Sequence, residues 1–184
     1  MSTEQPVLIA LGGNLGDVLE TFRWALASLP ALGVEPREMS CAYQTRPLTL
    51  DGGPWRPEVG PPAYWNAVCR VETALSPRQL LEVLHQLEHE AGRVRRERWE
   101  SRVLDLDLLG YGTEVIDTDG LVVPHPAIAE RRFVLMPLTD IAADWIEPRT
   151  GVSARTLLDA LGDDSGEILA IEHRWTEGSQ QCSS

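Results

Sequence analysis

Residues 102–112 read RVLDLDLLGYG, and within them Leu104, Leu106 and Leu108 alternate with Asp105 and Asp107. A two-residue period is that of a strand, whose side chains leave alternately by its two faces. The leucines therefore take a core, and both carboxylates share the opposite face, about 7 Å apart along the strand. Aspartate is depleted in strands, and like charges at that spacing repel. The pattern leaves two readings open. In one, the face is exposed and paired to nearby arginines. In the other, it is a site for a hard cation such as Mg²⁺, which takes one or two carboxylates and completes its shell with water and substrate phosphate.

Similar local rules place the other elements. PVLIAL (6–11) ending at Gly12-Gly13 reads as a buried strand and a turn. Asp17 with Glu20 marks a helix start, and Phe22, Ala25, Leu26 and Leu29 keep helical spacing up to Pro30 and Gly33. Residues 36–45 and 63–73 are strand-like, the second alternating through Trp65, Ala67, Cys69 and Val71. Ser76-Pro77-Arg78-Gln79 supplies cap, first-turn proline and capping-box glutamine for a second helix that stops at Gly92. Val103–Leu109 is the fourth strand. The order β-α-β-β-α-β predicts an α+β fold with a ferredoxin-like core, an antiparallel sheet with helices on one face. Extra short elements follow: a turn at 117–120, a helical turn near 127–130 and a helix over 153–161. One domain is expected over 1–177, with a disordered tail at 178–184. Seven Gly or Pro among the twelve residues 51–62 make that segment irregular, as either a functional loop or an idle insertion.

Charge narrows the function. A formal net charge of −12 opposes nonspecific duplex binding and anionic membrane surfaces, so any phosphate must be met locally. All 16 basic residues are arginine, which excludes a Walker lysine. Five of them (Arg93, Arg95, Arg96, Arg98, Arg102) fall within ten residues just before the acidic pair. Guanidinium forks grip phosphate oxygens bidentately, so arginines beside a carboxylate pair suit a polyphosphate nucleotide with Mg²⁺. Three cysteines without ligand spacing read as reduced thiols in a cytoplasmic protein, and no segment approaches a membrane span. His85, Glu88 and His89 have a spacing that could bind zinc on a helix, but no open third ligand is evident and the sequence is not HExxH; Glu88 also reads as a plain solvent-facing acid.

Here the chain resembles the 6-hydroxymethyl-7,8-dihydropterin pyrophosphokinases of folate synthesis over roughly residues 7–145. Besides RVLDLDLLGYG, the motifs ALGGNLGD (10–17), YQTRPL (43–48), YWNAV (64–68), GRVRRERW (92–99), VPHP (123–126) and RRFVLMPL (131–138) recur in order. The resemblance implies pyrophosphoryl transfer from ATP to the pterin hydroxymethyl group, with release of AMP; a monomer is expected. It implies that Asp105 and Asp107 hold two Mg²⁺ ions, and that Arg93, Arg95, Trp99, Arg102, His125 and Arg131 meet ATP. Of these, Arg93, Arg95 and Arg102 act in catalysis, the first two from a loop that closes. Tyr64 and Phe133 then stack on the pterin, Asn66 reads its edge, and Thr45, Pro47 and Leu48 line it. Gly13, Arg46 and Pro126 depart from the family's common serine, proline and aromatic. The competing expectation is a ferredoxin-like nucleotide- or RNA-binding module without catalysis; paired aspartates on the working strand disfavour it.

Overall fold

Val7, Ile9 and Leu11 alternate with Leu8 and Ala10 along the first strand, and both sets are buried, so this strand must be covered on its two faces. The computed structural model describes residues 6–47, 55–92, 101–162 and 167–176. Its strands are β1 (Val7–Gly13), β2 (Val34–Met39), β3 (Ala42–Thr45), β4 (Tyr64–Thr73), β5 (Asp105–Tyr111), β6 (Ile116–Thr118), β7 (Leu121–Val123), β8 (Ile146–Glu147), β9 (Val152–Ser153) and β10 (Ile168–Glu172). Its α-helices are α1 (Val18–Ser28), α2 (Pro77–Glu90), α3 (Arg132–Ala142) and α4 (Ala154–Ala160).

Both helix starts follow the caps read from sequence. Asp17 accepts from the Glu20 N–H at 3.1 Å, and Ser76 with Gln79 forms a complete capping box. The strand expected over 36–45 is two strands. At the break, the Ser40 hydroxyl accepts the Val68 N–H at 2.9 Å, taking the place of a ladder carbonyl. β2 and β3 therefore pair with successive halves of β4 on the same flank. Counted as one interrupted strand, they complete the order β2/β3-β4-β1-β5 of the ferredoxin-like core, and β10 adds an outer strand beside β3.

α1 and α2 cover one face, where Phe22, Leu80, Leu84 and Leu87 pack with Ile9, Leu11, Leu104, Leu106 and Leu108. Each such side chain contributes about 1.5–3 kcal/mol when fully buried. The expectation of helices on one face holds for these two alone. α3 and α4 cover the other face, packing Val134, Leu135, Leu138 and Leu158 on Leu8, Val68 and Leu109. α3 was not legible because Pro137 sits inside it and reads as a stop. The helical turn at 127–130 and the helix over 153–161 occur as Ile128–Glu130 (3₁₀) and α4.

Shortly after β10 comes Trp175, which is wholly buried; its indole N–H donates to Ser40 O at 2.8 Å, and its ring meets Phe22 edge-on at 5.6 Å. Cys69 is a free buried thiol, whereas Cys41 is disulfide-bonded, contrary to the reading of reduced cysteines. Cys182 and the expected tail lie outside the described residues. No described helix is long and apolar enough to cross a membrane.

Candidate active site

The face of the sheet that carries α3 is only partly covered. Beyond the apolar cluster, towards the ends of β1, β4 and β5, it opens into a cavity of about 330 Å³. Asp105 and Asp107 line it from β5, while Leu104, Leu106 and Leu108 point into the core on the opposite side. The strand's two-residue period has thus separated charge from core. Gly12 forms the floor: a Cβ there would stand 3.8 Å from both Asn66 Oδ1 and Asp105 Cβ, so a longer side chain would intrude between them.

Part of the cavity is a slot of aromatic and neutral polar side chains. Tyr64 and Phe133 line it from β4 and α3, together with Thr45, Pro47 and Asn66. The Asn66 amide donates to Thr45 Oγ1 at 2.9 Å and is 8% exposed, leaving its carbonyl oxygen on the cavity side next to Gly12. Arg131 lies 5.8 Å from the Phe133 ring centroid, a cation–π distance. Burial raises the Tyr64 phenol above its ordinary range, and Asp105 adds to the rise against the pull of Arg102.

The other end is charged. Arg102 is hydrogen-bonded to Asp105 Oδ2. Arg131 Nη1 and His125 Nε2 stand 3.8 and 4.0 Å from Asp107 Oδ2. The Asp107 carboxyl is held above the usual aspartate range, first by burial and then by Asp105, against the pull of His125, Arg131 and Arg102. Burial lowers His125 in turn, against the pull of Asp107. Nδ1 of that ring accepts the Ala127 N–H at 3.2 Å, which puts the ring proton on Nε2, the nitrogen facing Asp107. The segment leading to His125 is clamped by Arg149, which donates to the carbonyls of Pro124, Ile116 and Val123 at 3.2–3.3 Å.

Nine of the expected residues line this one cavity, from Thr45 on β3 to Phe133 on α3, and His125 stands directly behind Asp107. Leu48, Arg93, Arg95 and Trp99 lie outside the described residues. An all-oxygen pair of carboxylates, one of which resists ionising unaided, is a donor set that fits Mg²⁺.

Two supporting residues were missed or misjudged. Asn14, in the ALGGNLGD motif, is 4% exposed and joins three segments. Its side chain accepts the Arg102 N–H at 2.7 Å and donates to Pro62 O and Ser101 Oγ, each at 3.2 Å. An asparagine directly after a strand-ending Gly-Gly was the available signal. Glu88 is 2% exposed and faces inward, accepting the Leu106 N–H at 2.9 Å. Among the described strands β5 pairs with β1 alone, so its outer backbone groups need a partner, and α2 supplies one. Glu88→Ala should cost about 1–3 kcal/mol by orphaning that N–H, and Glu88→Gln much less; urea denaturation of both variants measures the difference.

The comparisons with known proteins agree with this geometry. The family model for 7,8-dihydro-6-hydroxymethylpterin-pyrophosphokinase matches residues 8–143. The chain is similar to the 2-amino-4-hydroxy-6-hydroxymethyldihydropteridine pyrophosphokinases of Haemophilus influenzae (41% identical over 145 residues; 78% of this chain, 86% of the relative) and Synechocystis (38% over 153; 83% and 74%). It is also 36% identical over 159 residues to the folic acid synthesis protein fol1 of Pneumocystis carinii, covering 86% of this chain and only 20% of that longer protein. Among solved structures, wild-type Plasmodium falciparum HPPK-DHPS shares the fold, with a TM-score of 0.64 at 13% identity over 85% of this chain and 44% of that one. With the acidic pair, the aromatic slot and the arginines gathered where the matched region converges, the chain belongs to the 7,8-dihydro-6-hydroxymethylpterin-pyrophosphokinase family.

Proposed function

We propose that this cavity transfers a pyrophosphoryl group from ATP to the hydroxymethyl oxygen of 6-hydroxymethyl-7,8-dihydropterin, the reaction of its family in folate synthesis. The observation that carries the reading is that Asp105 and Asp107 share one face and one cavity with the Thr45–Asn66 slot. The slot takes the pterin: Tyr64 and Phe133 offer aromatic surface to a flat heterocycle, Asn66 presents an amide to its edge, and Thr45 and Pro47 border it, with Leu48 next in the chain. The charged end takes the triphosphate. Arg102 and Arg131 bring guanidinium groups to its oxygens, Arg93 and Arg95 add two more, and Trp99 and His125 serve the nucleotide.

Asp105 and Asp107 would hold two Mg²⁺ ions, which supply charge neutralisation along the phosphates when bound. The chain's own task is positioning. The slot fixes the hydroxymethyl oxygen, and the arginines fix the triphosphate so that the β-phosphorus lies in line with it. Bond formation to that phosphorus breaks its bond to the α-phosphate oxygen, and AMP leaves. Asp105 accepts a hydrogen bond from Arg102, so that guanidinium already stands beside the carboxylate pair that would hold the metal. The setting is a cytoplasmic monomer using free ATP.

Incubating the purified chain with ATP, Mg²⁺ and the dihydropterin and following ³¹P resonances tests the reading. AMP and a pterin diphosphate should appear in equal amounts and only when pterin is present. ADP as the product, or AMP release without pterin, would overturn it.

A further inference from the structure

The slot has one wall on β3 and β4 and the other on α3, and the packing that joins them is mostly apolar. Apolar contacts are non-directional, so they do not by themselves fix how far the walls stand apart. A polar connection does. Tyr43, 7% exposed, donates its hydroxyl to Asp140 at 2.9 Å (Oδ1) and 3.1 Å (Oδ2), and Asp140 Oδ2 also accepts the Cys41 N–H at 3.0 Å.

Both ends of this connection report to the slot. Tyr43 and Thr45 lie two apart on β3 and so share a face, and Thr45 takes the Asn66 amide. Asp140 lies seven residues after Phe133 on α3, two turns along the same side of the helix. Asp140 is itself raised by burial, against the hydrogen bonds from Tyr43 and Cys41, and a carboxylate in such surroundings makes a strong, directional bond.

We infer that the Tyr43–Asp140 pair is a positioning device for the pterin side of the cavity, setting the separation of the Phe133 wall from the Thr45–Asn66 wall. The inference rests on the reading of the slot as the pterin site. Neither side chain lines the cavity, so the pair acts through Thr45 and Phe133 without touching substrate.

Tyr43→Phe keeps the ring and removes only the hydroxyl. Calorimetric titration of this variant with the dihydropterin should show affinity weakened about tenfold, the share of one hydrogen bond to a charged group. Affinity for MgATP should stay within about twofold of the wild type, since one missing contact on the pterin wall leaves the arginine end intact. Asp140→Ala should weaken pterin binding in the same way, and the double variant should be no weaker than Asp140→Ala alone. If Tyr43→Phe binds pterin as tightly as the wild type and only melts earlier, or if it loses both ligands equally, the pair is plain scaffolding and the inference is wrong. A wild-type chain that fails to bind pterin at all overturns the reading of the slot, and this inference with it.

Discussion

Asp107→Asn is expected to abolish measurable turnover, a loss of at least about 10³-fold, while raising the melting temperature of the ligand-free protein. The two effects share one cause. The native carboxyl sits above the ordinary aspartate range because burial and Asp105 disfavour its charge more than His125, Arg131 and Arg102 favour it. The Arg131 guanidinium and the His125 ring stand 3.8 and 4.0 Å from it, beyond hydrogen-bond reach, so removing the charge forfeits little attraction. The same negative charge is needed to hold the Mg²⁺ that would neutralise phosphate, and several kcal/mol of transition-state stabilisation at about 1.4 kcal/mol per decade give the stated loss. The pH dependence follows in sign. A carboxyl with a raised folded-state pKa contributes stability that is fully present below its unfolded value, about 3.9, and is lost as pH rises through the raised one. The melting-temperature advantage of Asp107→Asn should therefore be small in acid, open as pH climbs through that window, and stay constant above it. In the wild type, activity should fail on the acid side at a higher pH than an unperturbed aspartate, about 3.9, would set. Equal stability at all pH values, or normal AMP production by the variant, would contradict the account.

Arg102→Ala should lower kcat/KM by about 10²–10³-fold, the usual effect of removing one preorganised group that meets developing charge. Arg102 is both the hydrogen-bond partner of Asp105 and one of the cations that ease Asp107 towards ionisation. Its removal should therefore move the acid limb of the pH–activity profile to higher pH as well as lower the plateau. Arg102→Lys should recover the acid limb, because the charge returns, but only part of the rate, because an ammonium lacks the bidentate fork. A profile that drops without shifting would mean that Arg102 serves phosphate alone.

The parts of this molecule that follow from local rules were readable in the chain. Period two placed Asp105 and Asp107 on one face, and caps at Asp17 and Ser76 marked both helix starts. The β-α-β-β-α-β order led to the ferredoxin-like core. What escaped depends on distant partners. Nothing near Glu88 says that a strand edge will arrive above it, and nothing near Asn14 announces Pro62 and Arg102. The rule that proline stops a helix fails for α3, where Pro137 is accommodated inside a buried helix. The break at Ser40 and the docking of Trp175 beyond β10 are likewise products of tertiary contact, with Ser40 serving both. The site residues themselves came from a mixture: the acidic pair from physics, the slot and His125 from resemblance.

Two carboxylates on one strand face, beside a bank of arginines, should accept a triphosphate only together with divalent cations. Calorimetric titration with α,β-methylene ATP, which cannot undergo the transfer, tests this most directly when run with and without Mg²⁺ on the wild type and on an Asp105→Asn, Asp107→Asn double variant. Binding by the wild type should depend on Mg²⁺, and the double variant should lose that dependence. Equal affinity with and without Mg²⁺ in the wild type, or an Mg²⁺ dependence that survives the double replacement, would contradict it.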